Sequence, residues 1–137
     1  MVFIVGGGSV GCETALYLAP KNKKVIIAEM LSGMALDLEP ISRMDLIARM
    51  QIPEIEILLD RKVERIESHC VIITDQENRE EEVKADVVIL ASGAASLNDL
   101  GKEIEGRIRE ICVVGDCNKP RKIIDAVYEG FQAALRL

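Results

Sequence analysis

The sequence predicts an α/β fold: a parallel sheet covered by helices, with a small antiparallel β-meander and a C-terminal strand–helix unit. Three observations carry this. Residues 2–5, 25–28 and 86–91 contain short apolar runs without polar alternation, the pattern of strands buried on both faces. Helical periodicity fills the gap between the first two runs. Residues 62–84 break into short β segments joined by tight polar connections.

Taken in order, residues 2–5 form the first strand and end at a glycine run. A helical pattern follows through residues 12–19 and stops at Pro20, which cannot continue a helix. Residues 21–24 are a polar turn, and residues 25–28 a second buried strand ending in Glu29. Strand, helix and strand together have the length of a compact βαβ unit. Residues 30–37 read as a loop, and a second helix opens near Pro40, since proline suits the first helical turn. Ile41, Met44, Ile47 and Ala48 fall on one face of that helix. Ile55, Ile57 and Leu59 then mark a third strand. Within residues 62–84, the segments 62–67, 70–74 and 81–84 form the meander. Residues 86–91 return to a fully buried strand, closed by Ser92 and Gly93. Residues 94–110 are a polar connection. Residues 111–114 form a last strand, Gly115 and Asp116 a tight end, and a helix runs from Pro120 to about Leu135. The domain division is placed at 1–97 and 98–137.

Composition narrows the function classes. The chain has 137 residues, 49% of them hydrophobic, enough for a sizeable core. A net charge of −6 argues against nucleic acid or an anionic membrane as partner. With two Tyr, two Phe and no Trp there is no stacking platform for single strands. Cys12, Cys70, Cys112 and Cys117 form no C-x-x-C pair, and the single His69 cannot complete a zinc site of usual spacing, so no metal is expected. Free thiols point to a reducing cytoplasm. No apolar run approaches the roughly 18 residues of a membrane span. The opening residues lack the basic segment of a secretory leader. Because the first strand begins at residue 2, the sequence reads as a piece of a longer chain with Met1 as an added start.

The chemistry lies in residues 6–11, Gly-Gly-Gly-Ser-Val-Gly, a G-x-G-x-x-G pattern set between a strand and a helix. Gly6 serves the tight turn off the strand. Gly8 lacks a Cβ and so lets a pyrophosphate approach the backbone. Gly11 lets the helix pack closely. The helix N-terminus offers free N–H groups and a positive dipole end, which brings in Ser9 and Val10. Glu29 lies 18 residues after Gly11, at the end of the second strand. There a carboxylate accepts from the adenosine ribose hydroxyls and repels a 2′-phosphate. Met30 and Leu31 beyond it are not basic, so NADH is expected over NADPH. The bland alternative is a glycine turn without ligand and a solvated glutamate.

Residues 6–13, GGGSVGCE, resemble the NAD(P)H-domain fingerprint of two-dinucleotide flavoprotein reductases. Residues 86–93, DVVILASG, resemble the strand that closes that domain, ending at Gly93, and residues 113–117, VVGDC, the strand that returns to an FAD domain. Residues 33–46 and 115–131 are similar to the C-terminal region of the NADH:flavin oxidoreductases, the 2,4-dienoyl-CoA reductase, 2-enoate reductase and trimethylamine dehydrogenase group, within the pyridine nucleotide-disulfide oxidoreductase-like superfamily. The resemblance implies a parent protein with an FMN-bearing barrel, an iron–sulfur cluster and an FAD domain, in which NADH reduces FAD. It places Glu13 near the nicotinamide and Asp116 on FAD. It covers the NAD(P)H domain and the last stretch of the FAD domain alone, so FAD is expected only in the intact parent. Residues 94–98, AASLN, depart from the family's usual hinge.

The remaining candidates have plainer readings. Asp116 faces water or caps the last helix once the FAD half is missing. Glu13 also serves the helix dipole as a first-turn acid. Cys12, at a helix N-terminus, reads as a small buried filler rather than a redox thiol. Lys119, Arg121 and Lys122 are either an exposed basic patch or a contact to an anionic cofactor. Val127, Phe131, Ala134 and Leu135 need burial, either back over the sheet or in a neighbouring copy, which would make a homodimer through the tail. No residue reads as a general acid or nucleophile, since hydride transfer to flavin needs positioning. The expected function is the NADH-binding portion of an enoate or dienoyl-CoA reductase-like enzyme, inactive as an isolated chain. The alternative is a stand-alone NAD(H)-binding module that senses redox state or scaffolds a partner.

Overall fold

A computed structural model describes residues 1–136. The chain forms two compact units, Met1–Gly93 and Ala94–Leu137, so the division falls four residues before the expected one.

The first unit is built on four parallel strands, β1 (Val2–Val5), β2 (Val25–Ala28), β3 (Ile55–Leu58) and β7 (Val87–Leu90), in the order β3-β2-β1-β7. Val5 pairs with Ala28 and with Leu90, and Ala28 pairs with Leu58. The carboxyl ends of the four strands are therefore level. Between β1 and β2 runs helix α1 (Ser9–Leu18), followed by a single 3-10 turn (Ala19–Lys21) that takes in Pro20. Helix α2 (Pro40–Arg49) joins β2 to β3. The Glu39 carboxylate caps it, accepting from the N–H groups of Ile41 at 2.9 Å and Ser42 at 2.6 Å. Three antiparallel strands, β4 (Lys62–Ile66), β5 (Cys70–Thr74) and β6 (Glu80–Lys84), make the second sheet, with β5 central.

The unbroken apolar runs are explained by what covers each face. Val2, Ile4, Val25 and Ile27 point to one side, into a core with Cys12 and Ala15 of α1 and Leu46 of α2. Phe3, Ile26 and Ala28 alternate to the other side and meet Val71 and Ile73 of β5. The order is helices, parallel sheet, antiparallel sheet, and β1 and β2 are buried on both faces except at the half-buried Val5. Burying a side chain such as Phe3 or Ile27 is worth about 1.5–3 kcal/mol.

Three expectations need correction. The inward face of α2 carries Leu46 and Ile47 and is continued by Met50 just after it, with Arg43 reaching back to the Met34 carbonyl at 2.8 Å; Ile41 and Met44 are exposed. The spacing of Ile41, Met44 and Ile47 was genuine helical periodicity, but α1 meets α2 on the neighbouring stripe. The last strand of the sheet, β7, is not fully buried. It is an edge strand among the described residues, and Val87 and Leu90 are exposed. Residues 111–114 adopt no strand, since no neighbour there exchanges backbone hydrogen bonds with them.

The second unit holds helix α3 (Asp99–Ile104), a 3-10 turn (Gly115–Cys117) and helix α4 (Ile123–Ala134). Glu129 of α4 organises the turn. Its carboxylate accepts from the Gly115 N–H at 2.7 Å and the Asn118 amide at 3.1 Å, and from the Arg121 guanidinium. These donors, the Gly115 N–H first, hold its pKa below the usual carboxylate range. Val127 and Phe131 of α4, and Leu135 just after it, are exposed.

Candidate functional site

Strand order fixes where a ligand cleft can open. The chain leaves β1 towards β2 on one side, while β7 lies on the other, so the connections diverge at the carboxyl edge between β1 and β7. In open α/β sheets such a switch point leaves a crevice. The glycine run turns there. Gly6 takes a φ of +104°, a region that favours glycine, and donates its N–H to the Ala28 carbonyl at 2.9 Å. A Cβ on Gly6 would lie 2.4 Å from the Ala91 carbonyl oxygen, so the turn leaving β1 touches the segment leaving β7.

The remaining glycines differ in what surrounds them. A Cβ on Gly11 would lie 2.0 Å from the Gly6 carbonyl oxygen and 3.5 Å from Ile4 of β1, which brings α1 down onto the turn. A Cβ on Gly7 would lie 2.5 Å from the Met34 sulfur and 2.8 Å from Glu29 Cβ. Gly8 caps α1 with φ −66° and ψ 178°, a conformation any residue adopts. A Cβ there would meet only the Asp37 carboxyl group, at 3.5 Å. Gly8 is thus the one glycine of the run whose missing side chain serves neither turn nor packing. It leaves space above the start of α1.

Glu29 is buried at the end of β2. One carboxylate oxygen accepts the Gly7 N–H at 2.6 Å, and the other the Leu31 N–H at 2.8 Å. The residue ties the glycine turn to the end of β2, a structural role the sequence did not disclose. Each oxygen retains a further lone pair. Met30 and Leu31 beside it, and Val10 on α1, expose their apolar side chains.

Ser9 opens α1. Its N–H donates to Asp37 Oδ1 at 2.9 Å and its hydroxyl to Oδ2 at 2.5 Å. Asp37 comes from the loop after β2, which is pinned to the turn where the Ala35 N–H donates to the Gly7 carbonyl at 2.6 Å. Neither Asp37 nor Gly7 stood out in the sequence. A loop acid carries no signal of its own, and Gly7 occupies an x position of the motif.

The structure brings Gly6, Gly8, Ser9, Val10, Gly11, Glu29 and Met30 to one edge of the sheet. Glu13 is exposed in the second turn of α1, not the first, which removes its dipole role. Gly93, with φ +86°, follows β7 and is exposed. Asp116 is exposed in the second unit, where Asp125, not Asp116, accepts from the Lys122 N–H at the start of α4. Cys12 is buried, and its thiol donates to the Gly7 carbonyl at 3.4 Å. Burial first, then the nearby Asp37 charge, pushes its pKa up to about 11, so the helix start does not activate it. Of the basic residues near α4, Arg121 is engaged with Glu129 and Asp125. Among the described residues no cluster of metal-ligating side chains occurs, and no helix is long and apolar enough to cross a membrane.

Residues 1–130 match the family model described as pyridine nucleotide-disulphide oxidoreductase. An NADH oxidase of Thermoanaerobacter brockii is 41% identical over 137 residues, 99% of this chain and 21% of that protein. A cinnamate reductase of Clostridium sporogenes is 31% identical over 97% of the chain and 20% of its own length. The chain thus spans about a fifth of these relatives. Among solved structures, histamine dehydrogenase from Rhizobium sp. 4-9 superposes with a TM-score of 0.81 at 19% identity, covering 99% of this chain and 23% of that one. A 2-naphthoyl-CoA reductase superposes with a TM-score of 0.75 at 23% identity, over 99% and 21%. At these identities the two structures speak to fold alone.

Proposed function

Because the chain belongs to the pyridine nucleotide-disulphide oxidoreductase family, we propose that its first unit is the NADH-binding part of a flavin-dependent oxidoreductase. It holds NADH for hydride transfer to an FAD carried elsewhere in a longer polypeptide. The observation that carries this reading is Gly8. Turn geometry accounts for Gly6 and close packing for Gly7 and Gly11, whereas the bare backbone at Gly8 has no purpose within the fold.

The residues present fit a dinucleotide. The start of α1 at Gly8, Ser9 and Val10 turns the positive end of the helix to a pyrophosphate, which would share the Ser9 N–H with Asp37. Glu29 offers its remaining lone pairs to the adenosine ribose, and its charge disfavours a 2′-phosphate. Met30 supplies apolar surface for the adenine. Glu13 and Gly93 belong to the nicotinamide end, and Asp116 to FAD in the intact protein. NADH supplies two electrons as hydride when bound. The chain's own part is to bind, orient and exclude the 2′-phosphorylated cofactor. The finer reading, an activated C=C bond as final acceptor, rests on the family resemblance and is supported by the cinnamate reductase relative.

Calorimetric titration with NADH, NADPH and FAD in separate runs tests the proposal, using the chain and its Gly8→Ala variant. The expected result is NADH binding, weaker NADPH binding and no FAD binding. Gly8→Ala should lose at least about tenfold in NADH affinity, since a new Cβ obstructs the pyrophosphate. Its melting temperature should barely move, since that Cβ finds ordinary contacts. Equal NADH affinity in both proteins, or none in either, refutes the assignment.

A further inference from the structure

We infer that Ala35 is a positioning residue for the dinucleotide, one that acts through the Gly7 carbonyl; the inference rests on the NADH-binding reading. The Ala35 backbone takes a φ of +50°, in the left-handed region. The other non-glycine residues there, among those described, are Asn22, Asp60 and Asn78. Their short polar side chains are of the types that tolerate this conformation. Alanine has no such help, and Ala35 is wholly buried in the core with Cys12 and Met34. A strained residue persists where the contacts it secures offset its cost.

What Ala35 secures is the glycine turn. Its N–H donates to the Gly7 carbonyl at 2.6 Å, and the Cys12 thiol donates to the same oxygen at 3.4 Å. No peptide bond is cis among the described residues, so the Gly8 N–H lies opposite the Gly7 carbonyl across one trans peptide plane. With that carbonyl drawn to two buried residues, the Gly8 N–H is turned away from both. The Gly7 N–H, in the preceding peptide, is held by Glu29 at 2.6 Å. Both peptides that flank Gly7 are therefore fixed. The loop that carries Ala35 is braced in turn: Arg43 Nε donates to the Met34 carbonyl at 2.8 Å, and the Leu38 N–H to the Ala35 carbonyl at 3.2 Å. The Met34 sulfur occupies the place a Gly7 side chain would need. The turn thus has its binding shape before a ligand arrives, and NADH does not have to order it.

The test replaces the Ala35 amide by an ester, which removes the N–H and keeps the methyl group. This variant and the parent are titrated with NADH and with adenosine, which carries no phosphate. NADH affinity should fall about tenfold in the ester variant, because the ligand must now order the turn. Adenosine affinity should stay within about twofold, since its ribose is read at Glu29 and not at the Gly7–Gly8 peptide. An ester also weakens the Met34 carbonyl as an acceptor, so Arg43→Ala, which removes the bond to that carbonyl, is the control and should bind NADH nearly as the parent does. In the parent without NADH, hydrogen exchange followed by magnetic resonance should find the Ala35 amide as protected as the amides of β1; this reading does not depend on the ester variant folding. Four results overturn the inference and leave the NADH assignment intact: unchanged NADH affinity in the ester variant, an equal loss in Arg43→Ala, an equal loss for adenosine, or fast exchange at Ala35 in the parent. Absence of NADH binding in the parent overturns both.

Discussion

Replacing Gly11 by alanine sets two effects of opposite sign against each other. Gly11 lies inside α1, where alanine is favoured over glycine by roughly 1 kcal/mol from helix propensity alone. Against this, the new Cβ would sit 2.0 Å from the Gly6 carbonyl oxygen, where ordinary contact starts at 3.4 Å. Turn and helix must part by about 1.4 Å, a distortion of the overpacking kind. Neither side yields easily. Gly6 is held by its bond to Ala28 and pressed against Ala91, and α1 is held by the buried Cys12 and Ala15. The steric cost therefore falls at or above the upper end of the ~1–3 kcal/mol usual for overpacking. Net of propensity, Gly11→Ala should lower stability by about 2 kcal/mol. Urea unfolding followed by far-ultraviolet circular dichroism measures this as a lower midpoint at unchanged slope. A variant as stable as the parent, or more so, would refute the close approach of α1 to the turn.

Further outcomes follow from other contacts. Glu29→Ala leaves the Gly7 and Leu31 N–H groups without their carboxylate, and unfolding should show a loss of roughly 1–3 kcal/mol; on the NADH-binding reading, the variant should also accept NADPH more readily. Cys12 and Cys70 are buried and Cys112 and Cys117 exposed, so iodoacetamide at pH 8 should label the latter pair in the native protein and all four in urea. The Cys12 pKa is raised on folding, so its contribution is fully present below the unfolded thiol value near 9 and is lost as pH rises through about 11; melting temperatures that climb over that interval would contradict its burial. The Arg65–Glu80 fork, at 2.9 and 3.0 Å, lies on the surface, so Arg65→Ala should leave the melting temperature nearly unchanged, with any difference shrinking at high salt.

How far the sequence could be read depended on whether a signal was local. The strand ends, the glycine run and the meander were legible because apolar runs, glycines and tight polar turns act on their own neighbours. Glu29 was found by its distance from Gly11, yet its hold on the Gly7 and Leu31 N–H groups was not, because that depends on the course of the loop after β2. Asp37 was invisible for the same reason. Its partner Ser9 lies 28 residues away. The α2 stripe and the exposure of β7 went astray because periodicity shows that a face exists, while only the packed neighbour decides which face is covered. Residues 111–114 have the composition of a strand, but a strand requires a second one beside it.

The pairing of β1 with β7 joins residues 2–5 to residues 87–90, with the whole antiparallel sheet placed in sequence between them. Local segments such as β1, α1 and β2 can associate early, but closing a loop of that length is entropically slow. Gly6 rests on the Ala91 backbone, so the turn cannot be braced until that loop has closed. On a ribosome, the glycine turn would thus emerge well before Ala91 and take its final shape only after Ala91 has left the exit tunnel. Ligand capture would report the completion of folding rather than assist its beginning.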